Sequence, residues 1–188
     1  MRKSEWLRWL FWGLTGVGAV VGLVGLGRKG LPREETFSEE RLSEAFWKAE
    51  AGLTPSPTER AQVERILNQI TDSLPRLYAL AVTYTLLYAD NLSAPPMLYV
   101  QRLQQLRADP WVVAYLGRLA WHTGQKEKAR AYLHEAIQRD SACGPAYLFL
   151  TQVVPESACV WLQAASTAAL PPGAVIYQKH LREQYRCP

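Results

Sequence analysis

A chain of 188 residues has room for one domain of ordinary size with a real core, and its formal net charge of +4 raises nucleic-acid binding as the first question. The excess is local: in residues 1–30, Arg2, Lys3, Arg8, Arg28 and Lys29 face only Glu5, which leaves 16 basic and 16 acidic residues from Leu31 onward. The main body is neutral and has no net field to gather a polyanion, so nucleic acid is excluded as its expected partner.

The first element is apolar. Trp9 to Gly27 is a run of 19 residues without a charge. As a helix it would cover roughly 28 Å, close to a hydrocarbon core, so the sequence predicts a single transmembrane helix. Trp6, Trp9 and Trp12 at one end suit an aromatic belt, and Arg28 with Lys29 closes the other. The basic flanks suit anionic headgroups. A cleaved signal peptide is the rival, with Gly25 and Gly27 as small residues at the end of the run, but the run exceeds a usual signal core and no A-x-A site follows. Arg2, Lys3 and Arg8 balance Arg28, Lys29 and Arg33, so the positive-inside rule leaves the orientation open. Thr15, Gly18, Gly22 and Gly25 fall on one helical face, and Gly18 to Gly22 is a G-x-x-x-G pair that permits close approach of another helix.

The expected organisation is an anchor over residues 1–30, a polar linker over 31–37 and a helical domain over 38–188. Phe37-Ser38 begins a helix with Glu39 and Glu40 in its first turn, ending near Gly52. Ser56 and Glu59 form a capping box around Pro57, ahead of the stripe Val63, Ile66, Leu67 and Ile70. Pro75 opens an apolar helix to about Asp90, N-L-S-A-P-P breaks it, Leu98 to Arg107 makes another, and Asp109-Pro110 starts the next. No window alternates as a strand does. Short turns between helices of this length predict an all-α fold of antiparallel helix pairs stacked side by side.

From Trp111 to Tyr147 the chain resembles the tetratricopeptide repeat, a 34-residue helix-turn-helix unit. Leu116-Gly117 stands for its L-G pair, Gly124 marks the turn, and Ala129 and Ala136 hold its small positions. Gly117 and Ala120 on one helix, with Ala129 and Ala136 on the next, let two backbones approach while Leu116, Tyr132, Leu133 and Ile137 fill the remaining space. The clearest unit is 110–143. Around Thr83 the signature is lost, and Pro155 cuts the next first helix short. The resemblance implies a short α-solenoid, since one repeat cannot bury its own apolar face.

In such solenoids the inner faces of the first helices form a groove for a peptide or a partner's helix. Trp111, Arg118, Trp121 and His122, with Ala114, share that face and are the candidate partner-binding residues; the alternative is that both tryptophans pack against the preceding helix pair. The lysine and asparagine clamp for a carboxylate tail does not occur on this face.

Catalysis finds little basis: His122, His134 and His180 are scattered, and neither G-x-S-x-G, H-E-x-x-H nor a phosphate-cradling loop occurs. Cys143, Cys159 and Cys187 form no C-x-x-C pair and no zinc spacing, so neither metal nor cofactor is expected. Cys143 and Cys159 are either isolated small residues or, in an exported domain, a disulfide across a helical hairpin.

The expectation is a non-enzymatic, single-pass membrane protein whose partners are the bilayer and other proteins, with no small-molecule substrate. Its architecture is similar to factors that help assemble photosynthetic or respiratory complexes, including the photosystem I assembly family. A permanent small subunit of such a complex is the alternative, and an exported repeat protein freed of its signal peptide is a third.

Overall fold

The structure is a computed structural model that describes residues 39–67, 69–70, 74–88 and 96–188. Among the described residues the chain forms helices α1 (Glu39–Glu50), α2 (Pro57–Leu67), α3 (Pro75–Tyr88), α4 (Pro96–Gln105), α5 (Pro110–His122), α6 (Lys126–Arg139), α7 (Gly144–Val153), α8 (Ala158–Ala165) and α9 (Ala174–Tyr185), with a 3-10 turn at Pro155–Ser157. No strand occurs among them. A lone parallel bridge joins Cys143 and Ala169.

Side-chain caps set two of the helix starts, those of α2 and α5. The Glu59 carboxylate accepts from the Ser56 N–H at 2.9 Å and Ser56 Oγ accepts from the Glu59 N–H at 3.2 Å, a reciprocal box around Pro57. Asp109 caps α5 by accepting from the Trp111 N–H at 2.8 Å, with Pro110 at the first helical position. Gly124 ends that helix pair's first member at φ 78°, where a side chain would be strained. α4 begins at Pro96 and ends at Gln105, two residues earlier at each end than Leu98 to Arg107.

The helices stack in two layers. The first members of successive pairs, α3, α5, α7 and then α9, run side by side, and α4, α6 and α8 pack behind them. The tightest pair is α5 with α6. A Cβ added at Gly117 would lie 2.8 Å from two carbons of the buried Leu133 side chain and 3.3 Å from the Ala129 carbonyl oxygen, so a larger residue would force Leu133 to shift. Leu116, Ala129 and Ala136 are buried in the same interface.

The helix α1 lies against the inner row. Leu42, Phe46 and Trp47 are completely buried. The Phe46 ring meets Tyr115 of α5 edge-on at 5.7 Å; Trp47 stacks on Phe149 of α7 at 5.3 Å and meets Tyr177 of α9 at 5.4 Å. One helix thus joins three others through aromatic pairs, each contributing about 0.5–1.5 kcal/mol beyond the area it buries.

The connection from α8 to α9 straps α1 in place. The Ser43 hydroxyl donates to the Pro172 carbonyl oxygen at 2.7 Å, and the Ala169 carbonyl oxygen accepts from the Gly144 N–H at 3.1 Å. Gly173 sits at φ 82°, and a Cβ there would come within 2.7 Å of the Glu44 Cα. Gly173→Ala therefore combines a left-handed backbone with a backbone clash, and we expect a loss of about 2–3 kcal/mol in urea unfolding. An unchanged midpoint would show that the strap does not hold α1.

Two expectations are corrected. The all-α class holds among the described residues, but the N-terminal membrane helix is not supported: no helix among the described residues is long and apolar enough to cross a membrane. α1, the first described helix, is short and amphipathic and buried in the domain's own core. The stretch Trp9–Gly27, with Thr15, Gly18, Gly22 and Gly25, and the linker 31–37 lie outside the described residues. The second correction concerns cysteine. Cys159 pairs with Cys187, not with Cys143, which is free and buried. Cys143 opens α7 facing inward, whereas Cys159 opens α8 on the exposed side.

Candidate functional site on the inner helix row

The face of α5 singled out by the sequence is not an open groove, because α1 occupies it. Arg118 points inward and its Nε donates to both carboxylate oxygens of Glu50 at 3.0 Å, across 68 residues of chain. The pair is enclosed, with Glu50 1% and Arg118 12% exposed in their side chains. Trp111, near the start of α5, and Trp121, near its end, are both half-buried, and His122 is exposed. The Lys126 ammonium lies over the Trp121 ring at 5.7 Å. The four candidates therefore split into an enclosed ion pair and two separate ends of one helix.

A third element joins the ion pair. The Tyr88 hydroxyl at the end of α3 donates to Glu50 Oε1 at 2.9 Å. Burial pushes the Tyr88 phenol up, and the neighbouring Glu50 charge pushes it further. Burial works against the Arg118 cation, but Glu50 outweighs it and holds the guanidinium above its ordinary range. Tyr177, on α9, is likewise pushed well up by burial with the Glu50 charge behind it. Around neutral pH the raised phenols stay neutral and the guanidinium stays charged, so the arrangement can latch a helix.

These phenols make alkaline pH destabilising. A raised phenol is protonated in both states below about pH 10, so its contribution is fully present there; above pH 10 the unfolded chain ionises first and stability falls. Tyr115 and Tyr177 are both enclosed and raised well above 10.0, and Tyr84 is pushed up to about 12 by burial and then Glu59. We expect stability to fall progressively as pH rises above 10, with Tyr115 and Tyr177 each contributing to the loss. Urea midpoints at pH 9, 10 and 11 check this, and a flat profile would contradict it.

The start of α5 forms a different feature. Arg76 donates from Nε to Asp109 Oδ2 at 2.8 Å, and its guanidinium lies 4.6 Å from the centre of the Trp111 ring. Asp109 thus caps α5 with one oxygen and fixes Arg76 over Trp111 with the other. Beside them opens a cavity of about 200 Å³ walled by Glu39, Ser43, Trp111, Tyr115 and Pro172. That volume admits a single side chain, less than the 300–1,000 Å³ typical of small-molecule sites.

The residues that sequence reasoning missed are Glu50, Tyr88 and Tyr177. The available signal was Glu50 itself, a charge among Phe46, Trp47 and Ala49 on a predicted helix, but nothing local named its partner. Among the described residues no group of three or more His, Cys, Asp or Glu side chains is placed to hold a metal ion. Compared with protein-family models, curated proteins and solved structures, the chain matches none.

Proposed function

We propose that the chain is a helical-repeat protein of the tetratricopeptide type that binds another protein, as a scaffold or assembly factor for a larger complex, through contact and not turnover. The observation that carries this reading is the notch at the start of α5. There Trp111 is held under Arg76 beside a cavity sized for one side chain. Tryptophan and arginine at the rim of a small pocket are the residue types that dominate interface energetics. The side-by-side packing of α3, α5 and α7, and the glycine-and-alanine contact of α5 with α6, support the repeat reading.

Because α1 fills the inner row, the proposed contact is at its end and not along its length. Trp121 and His122 at the far end of α5 form the second candidate point. The test is affinity capture with the tagged full-length chain, comparing the parent with Trp111→Ala and Trp121→Ala. Loss of a specific partner from Trp111→Ala, with thermal unfolding little changed, is the expected result. Partner capture unchanged while stability falls would mean that Trp111 is a packing residue, and the proposed site would be withdrawn.

A further inference from the structure

We infer that the Cys159–Cys187 bond is a thiol–disulfide exchange site, reducible in the folded protein by a dithiol, and that its opening frees the segment Arg186–Pro188 without unseating α9. The bond ties the second residue of α8 to a residue just past the end of α9. Three observations make its opening local. Cys159 is exposed, so a thiolate can reach its sulfur. Both cysteines line an open groove of about 600 Å³ with Val160, Gln163, Arg182 and Pro188, which gives an attacking group room along the bond. And α9 is held independently, since Ala174, Tyr177 and Leu181 are completely buried.

The chemistry balances with a dithiol as co-reactant. Its thiolate attacks Sγ of Cys159, the disulfide breaks, and Cys187 leaves as a thiolate that takes up a proton. The second thiol of the reagent gives up its proton and attacks the mixed disulfide, releasing Cys159 as a thiolate that is then protonated. Two electrons and two protons pass to the protein, and the reagent becomes a disulfide.

After opening, the segment keeps a hydrogen bond from Arg182 to the Pro188 carbonyl oxygen at 2.6 Å, and two backbone bonds, from the Cys187 N–H to the Arg182 carbonyl oxygen at 2.9 Å and from the Arg186 N–H to the Glu183 carbonyl oxygen at 3.3 Å. The former is exposed and weak against water. One wall of the groove therefore becomes mobile on reduction. Cys143 does not compete in the exchange: it is buried, and burial pushes its thiol up to about 12, leaving almost no thiolate at neutral pH.

The experiment uses the full-length oxidised protein, dithiothreitol as the dithiol, and maleimide mass-tagging without denaturant. We expect no tag before reduction and two after it, on Cys159 and Cys187, with near-ultraviolet circular dichroism retained. Amide exchange should rise at Arg186 and Cys187 and stay unchanged in α1, α5 and α7. Tags at Cys159 and Cys187 before any reductant, resistance to dithiothreitol until the protein is unfolded, or loss of the near-ultraviolet signal on reduction would each overturn the inference. The variant Cys187→Ser supplies an independent check: it should keep the parent's near-ultraviolet spectrum and expose one taggable thiol at Cys159, and a collapsed spectrum would show that the bond holds the fold.

Discussion

Replacing Trp47 by alanine is expected to lower stability by about 4 kcal/mol, within the usual range for a buried aromatic lost from a core. The indole is completely buried, stacks on Phe149 at 5.3 Å and meets Tyr177 at 5.4 Å, so its removal leaves a void where α1, α7 and α9 converge. Collapse into that void is hindered because Phe46, Tyr115 and Phe149 are already locked edge-to-face against one another. Chemical denaturation of the parent and Trp47→Ala proteins measures the loss; a change below about 1 kcal/mol would mean that α1 is not part of the core.

The second large effect comes from Glu50. Changing it to leucine removes both acceptors of the enclosed Arg118 Nε–H and the acceptor of the Tyr88 hydroxyl. An arginine left unpaired at that depth costs about 3–5 kcal/mol, far more than an exposed pair. The contrast within this protein is Lys48 with Glu44, a pair whose side chains are more than two-fifths exposed, where breaking the contact is expected to cost at most about 0.5 kcal/mol. Thermal or urea unfolding of Glu50→Leu and Lys48→Ala side by side gives the comparison.

How much of this was legible in the sequence follows from the range of each signal. The pair α5 and α6 was legible because its determinants are local: Asp109 before Pro110, Gly124 at the turn, and Gly117, Ala129 and Ala136 at the spacing through which this stretch resembles the tetratricopeptide repeat. The capping box at Ser56 and Glu59 reads the same way. The place of α1 was not legible, since its amphipathic pattern says that one face is buried but not against what, and its ion-pair partner is 68 residues away. Trp111 and Arg118 looked alike on a helical wheel, yet one borders a notch and the other sits under α1.

The cysteines make the same point. Three cysteines allow three pairings, and the sequence offers Cys143 with Cys159 across a helical hairpin only as the alternative to isolated residues. Which side of a helix each one faces, inward for Cys143 and outward for Cys159, decided for Cys187 instead. That property emerges only once α7, α8 and α9 are packed.

The most direct test of the central claim, that α1 fills the inner row and is latched there by Glu50 and Arg118, is a double-mutant cycle with Glu50→Leu, Arg118→Met and the double variant. If the two side chains meet as described, each single change costs several kcal/mol while the double costs much less than their sum, because no charge is then left buried and unpaired. Losses that add to within about 0.5 kcal/mol would mean that the two residues do not touch, and α1 would have to be placed elsewhere.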